Sequence, residues 1–139
     1  MMLRRLLLCL LLIAAQAHAW NAQRLFEPEP VAVPRGLSEN EVEHAVLDAA
    51  VQREWVIVSR GPGEMIVRYA PRDVSASVRI AYDSQSVRLT YAGSTNLDYA
   101  VSGGERYIHN NYNRWVQHLA VEILRNMLRV KDEHERSVR

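Results

Sequence analysis

Between Trp55 and Tyr91 apolar and polar residues alternate with a period of two, and on either side of that stretch the period lengthens to that of a helix. Ala76, Val78, Ile80 and Tyr82 fall on one side of an extended chain, with Ser75, Ser77 and Arg79 on the other. Val87, Leu89 and Tyr91 repeat the pattern against Arg88 and Thr90. Residues 55–59 and 65–69 are β-branched and aromatic runs separated by the turn Arg60-Gly-Pro-Gly63. Breaks at residues 70–73 and 83–86 complete four strands joined by short turns. One wet and one apolar face is the mark of an antiparallel sheet rather than a parallel sheet buried on both sides.

The flanking helices follow from spacing and caps. Ser38-Glu-Asn-Glu41 is a capping box with Leu37 and Val42 at the staple positions. Such a cap is worth about 0.5–2 kcal/mol. The helix it starts runs to about Arg53, with Val42, Ala45, Val46, Ala49 and Ala50 on one stripe. Tyr112, Trp115, Val116, Leu119, Ile123 and Met127 predict a second amphipathic helix from about Arg106 to about Val130. The expected fold is therefore α+β: a four-stranded antiparallel meander with an N-terminal and a C-terminal helix packed on one face, in one domain over residues 37–130. Residues 131–139 carry mixed charge without a stripe and are expected to fray. Pro28, Pro30 and Pro34 make residues 20–36 an extended arm, read as a solvated spacer or, alternatively, as an edge strand through Val31 and Val33.

The first 19 residues change the picture of where this domain works. Arg4 and Arg5 precede an apolar run from Leu6 to Ala15, and Ala17-His18-Ala19 is a small-x-small cleavage pattern. A signal peptide cut after Ala19 or Ala17, and a periplasmic product, are expected. The run is shorter than the roughly 20 apolar residues of a membrane span, so membrane association is expected only through an uncleaved signal or a partner. Cleavage removes Arg4, Arg5 and Cys9, leaving 15 basic and 16 acidic side chains. No basic cluster remains for nucleic acid or anionic lipid, and no thiol for a disulfide or a thiolate metal site.

Candidate chemistry is sparse. Tyr107-Ile-His-Asn-Asn-Tyr-Asn-Arg-Trp115 places His109, Tyr112 and Asn113 within one helical turn, and Ser94, Asn96 and Tyr99 follow the last strand. These six form the candidate binding patch. General acid-base work by His109 needs an orienting partner such as Asp98 or Glu105 and a dry pocket, neither of which sequence displays. The remaining histidines, His44, His118 and His134, show no ligand-pair spacing, and no Gly-x-Ser-x-Gly elbow occurs. No catalytic residue, metal or cofactor is expected.

Gly61-Pro-Gly63, Val78-Arg-Ile-Ala-Tyr-Asp83, Ser94-x-Asn-Leu-x-Tyr99 and Ile108-His-x-Asn-Tyr-Asn-x-Trp115 together resemble a family of small envelope lipoproteins of Gram-negative bacteria, over roughly residues 36–128. Many members of that family carry a lipidated cysteine after the signal; this chain has Ala17-His18-Ala19 instead. The resemblance implies an envelope location and assigns no activity or substrate. The expected function is a periplasmic binding or adaptor module without catalysis, presenting the wet sheet face (Arg79, Arg88, Thr90) or the His109 patch to an envelope protein or cell-wall component. A small hydrolase or isomerase using His109 and Tyr112, and a glycan-binding module, are the alternatives.

Overall fold

Ser38 begins the first helix as its sequence predicts: its hydroxyl accepts the Glu41 N–H at 3.2 Å, in a computed structural model that describes residues 22–139. The signal segment, Cys9 and the expected mature start at Trp20 lie outside the described residues. Helix α1 spans Glu39–Gln52 and buries Val42, Ala45, Val46, Ala49 and Ala50. Two short strands precede it, β1 (Ala22–Arg24) and β2 (Val31–Ala32). After it come β3 (Val56–Gly61), β4 (Glu64–Tyr69), β5 (Ser75–Tyr82), β6 (Ser86–Thr95), β7 (Ala100–Ser102) and β8 (Glu105–His109), and the chain closes with α2 (Asn110–Ser137).

The four predicted strands form the antiparallel meander β3–β4–β5–β6. At the β3–β4 turn Gly63 adopts φ 70, and a Cβ there would sit 3.2 Å from the Tyr82 carbonyl, so the position favours glycine. The β5–β6 turn is closed by Asp83, whose carboxylate accepts the Gln85 and Ser86 N–H groups at 2.7 and 2.9 Å.

Four strands were too few. The sheet is five-stranded, because Val31 and Ala32 of the arm pair antiparallel with Val87 and Ser86 on the outer edge of β6. A second sheet of three strands, β1–β8–β7, joins Ala22–Arg24 to residues 107–109. Residues 22–33 are thus tied to both sheets. The second sheet also corrects the start of the last helix from Arg106 to Asn110. Gly103 and Gly104 both have positive φ, at 58 and 77, which makes them the two-residue turn of a β7–β8 hairpin. Residues 105–109 are drawn into strand by pairing on both sides. At the other end the helix does not fray after Val130 but continues to Ser137, where His134 Nε2 reaches Glu41 Oε2 at 2.9 Å and Lys131 pairs with Glu135 at 3.9 Å.

One core unites these parts. The stripes of α1 and α2 pack with Met65, Val67, Ala76, Val78, Ile80, Tyr82, Val87 and Leu89 from one face of the large sheet, and Ile108 and Leu97 extend the same cluster. The buried side-chain amide of Asn126 donates to Ala45 O and Gln52 Oε1, both at 3.1 Å, and so links α2 to α1.

Candidate functional site

The fold gathers Ser94, Tyr99 and Tyr112 around Tyr91 and engages Asn96, His109 and Asn113 in separate contacts. Tyr91 stacks on Tyr99 with centroids 4.6 Å apart and meets Tyr112 edge-on at 5.5 Å. Its hydroxyl shares a hydrogen bond with Ser94 Oγ at 2.7 Å. His109 is the N-cap of α2, its Nδ1 accepting the Asn111 N–H at 3.1 Å. Asn113 accepts the Phe26 N–H at 2.9 Å and donates to Arg24 O at 3.0 Å, clasping the arm. Asn96, at φ 56, donates to Asp73 O at 2.7 Å.

That arrangement leaves little for acid-base chemistry. Among the described residues no carboxylate hydrogen-bonds His109. Glu105 is taken by Arg24 Nε at 2.6 Å. Glu27 accepts the Tyr91 N–H at 3.2 Å and pairs with Arg106 at 3.1 Å, so it covers part of the β6 edge beyond β2. Tyr112 is fully buried with no partner for its hydroxyl, and burial first, then the nearby Glu27 charge, push its phenol well above the ordinary range.

Concave surface lies elsewhere, where α1 ends. Trp55 N–H reaches Ala50 O at 2.8 Å and Glu54 N–H reaches Val51 O at 3.1 Å, a Schellman termination. Its left-handed position, normally glycine, is Glu54 at φ 63. A side chain there costs about 1–2 kcal/mol of backbone strain. The turn displays Glu54 over a cleft of about 190 Å³ lined also by Gln52, Arg53, Trp55, Tyr69, Trp115 and His118. The three rings form a connected corner: Trp55 and Tyr69 lie 5.5 Å apart, and Tyr69 meets Trp115 at 4.9 Å with planes 83° apart. Arg53 is held by Glu122 at 3.2 Å, and Glu122 also draws Arg125 to 3.6 Å.

A second cleft of about 430 Å³ adjoins the first, sharing Glu54 and Tyr69 and adding Val56, Val58, Arg68, Ala70 and Pro71. It runs beside β3, an edge strand of the large sheet, where Val56 and Val58 are 66% and 59% exposed. Arg60, the edge's nearby cation, is turned back onto Glu43 of α1. Sequence reasoning missed this surface because Trp55, Tyr69 and Trp115 carry the right spacing for core. The available signal was Glu54 itself, a charged residue where a helix stops and glycine is usual.

Among the described residues no three His, Cys, Asp or Glu side chains gather as metal ligands, and no helix is long and apolar enough to cross a membrane. In comparison with known proteins, no family profile matches the chain and no curated protein matches it, so the resemblance read from residues 61–63, 78–83, 94–99 and 108–115 rests on those residues alone.

Proposed function

We propose that this chain is a non-catalytic binding module of the bacterial envelope, exported by its leader, which holds an extended segment of a partner polypeptide along β3. The observation that carries the proposal is the edge of β3, unpaired among the described residues and bordered by the larger cleft, which shares Glu54 and Tyr69 with the smaller one. An edge strand offers unpaired backbone N–H and C=O groups, and proteins usually guard such edges with charge, proline or a bulge. Here the register shift between Ile57 and Ser59 limits pairing to a short segment, while Val56 and Val58 stay uncovered. Backbone pairing supplies affinity in this mode, and pockets beside the strand supply selectivity. A polypeptide suits this surface better than a glycan: Trp55 is only 4% exposed and Tyr69 and Trp115 are half-buried, so no ring offers an open stacking platform. The hydrolase alternative has no supporting geometry, since the His109 imidazole caps a helix.

Site-specific photocrosslinking in intact cells tests the proposal. A photoreactive residue at Val58 is expected to give a discrete protein adduct, and one at Arg88, on the wet sheet face, none. Adducts from neither position, or equally from both, would overturn it. Recovery of full-length unprocessed chain in the cytosolic fraction would overturn the export half.

A further inference from the structure

We infer that the smaller cleft takes the cationic head of a lysine or arginine side chain, so that the segment bound along β3 carries a basic residue at one end. This rests on the β3-edge reading above and names what that segment must contain.

Three features of the cleft favour positive charge. Glu54 lies on its rim with no ion pair to any described residue, and it is held there by a backbone conformation that disfavours a side chain. The cleft sits at the C-terminal end of α1, where the helix dipole is negative and the last turn holds no basic residue to answer it. The lining includes the half-buried rings of Tyr69 and Trp115, and aromatic rings attract cations. Of the cations nearby, Arg53 is engaged by Glu122, which also pairs with Arg125, and Glu54 is the carboxylate of the lining that no described cation occupies.

Size and the neighbouring cleft narrow the choice further. At about 190 Å³ the hollow is smaller than the roughly 300–1,000 Å³ of small-molecule sites, and it fits one side-chain head rather than a whole ligand. Arg68 lines the larger cleft, whose other residues are mostly apolar, so a second cation is disfavoured there. The expected segment therefore has apolar residues beside Val56 and Val58 and one basic residue seated against Glu54.

The test uses Nα-acetyl-arginine amide and its neutral isostere Nα-acetyl-citrulline amide, titrated into the purified protein while the indole N–H signals of Trp55 and Trp115 are followed by NMR. The arginine compound is expected to shift these signals saturably and about tenfold more tightly than the citrulline compound. Glu54→Gln is expected to remove that preference. Glu54→Gly, which keeps the left-handed turn without strain, is expected to remove it as well, in a protein at least as stable as the parent. Equal binding of the two compounds, an unchanged preference in Glu54→Gln, or no saturable shift would overturn the inference. So would saturation of the same signals by a methyl glycoside while arginine amide stays inert. The two readings fail separately: crosslinks from Val58 with no arginine preference sink only the cation seat, whereas arginine preference without crosslinks sinks only the capture of a segment along β3.

Discussion

The side-chain amide of Asn113 accepts the backbone N–H of Phe26 at 2.9 Å, across 87 positions of sequence. With its other end donating to Arg24 O, this one residue satisfies both sides of the arm where it leaves β1. Asn113→Ala is expected to lose about 0.5–1.5 kcal/mol of stability, the net range for a hydrogen bond, because both backbone partners lie at exposed positions and can turn to water. Limited proteolysis should detect early cleavage between residues 24 and 34 in that variant, while the core stays protected. Unchanged protection of the arm would mean that β1–β8 pairing alone holds it.

Asn126 plays the equivalent part inside the core. It is 2% exposed, donates to Ala45 O and Gln52 Oε1, and accepts from Arg129 at 3.0 Å. Asn126→Ala is expected to destabilise by about 1–3 kcal/mol in urea unfolding, through a lost helix-to-helix link and a small cavity. Asn126→Leu fills the space without the hydrogen bonds, so it is expected to recover part of that loss.

Glu54 separates stability from binding. Glycine in its left-handed position removes about 1–2 kcal/mol of side-chain strain and adds about 0.5–1 kcal/mol of backbone entropy cost, so Glu54→Gly is expected to raise stability by up to about 1.5 kcal/mol. Thermal unfolding of parent and variant measures the difference. A lower midpoint would show that the Glu54 side chain makes a stabilising contact.

The buried phenol of Tyr112 predicts alkaline sensitivity. Its folded-state pKa is raised above the ordinary value of 10.0, so the proton is held more tightly by the folded chain than by the unfolded one. The stability this confers is complete below about pH 10 and falls as pH rises further, at up to about 1.4 kcal/mol per pH unit, because only the unfolded chain ionises. Tyr82 is shifted in the same direction, by burial and then by Glu43. Tyr112→Phe is expected to flatten the decline in urea midpoints between about pH 9 and pH 11, with little change near neutrality because the lost hydroxyl had no partner. An equally steep decline in the variant would assign the alkaline transition to other groups.

How much of this was legible follows from the reach of each signal. The capping box at Ser38, the stripe of α1 and the alternation through Tyr82 and Val87 act within a few residues, and each appears in the structure as its pattern predicts. Val31–Ala32 is too short for any period, so the sequence offered an edge strand there only as an alternative, and its place beside Val87 depends on a partner more than 50 positions away. The Gly103–Gly104 turn carried a local hairpin signal that was outweighed by the apparent start of a helix. Of the patch residues, Ser94, Tyr99 and Tyr112 meet around Tyr91, while the chemistry suggested by His109 and Tyr112 dissolved once their neighbours were known. His109 is consumed by a cap and Tyr112 by the core.

By itself the chain determined its α+β class, the antiparallel meander and the inward faces of both helices, because burial on one face imprints a period that needs no knowledge of the partner. Tertiary structure alone decided which distant segment closes each sheet edge and which rings stay open. Trp115 on α2 and Tyr69 on β4 have the spacing of core residues, yet they line a cleft because the end of α1 presents Glu54 beside them instead of covering them. Periodicity states that a side chain faces inward; only the packed neighbours state whether the inside is full.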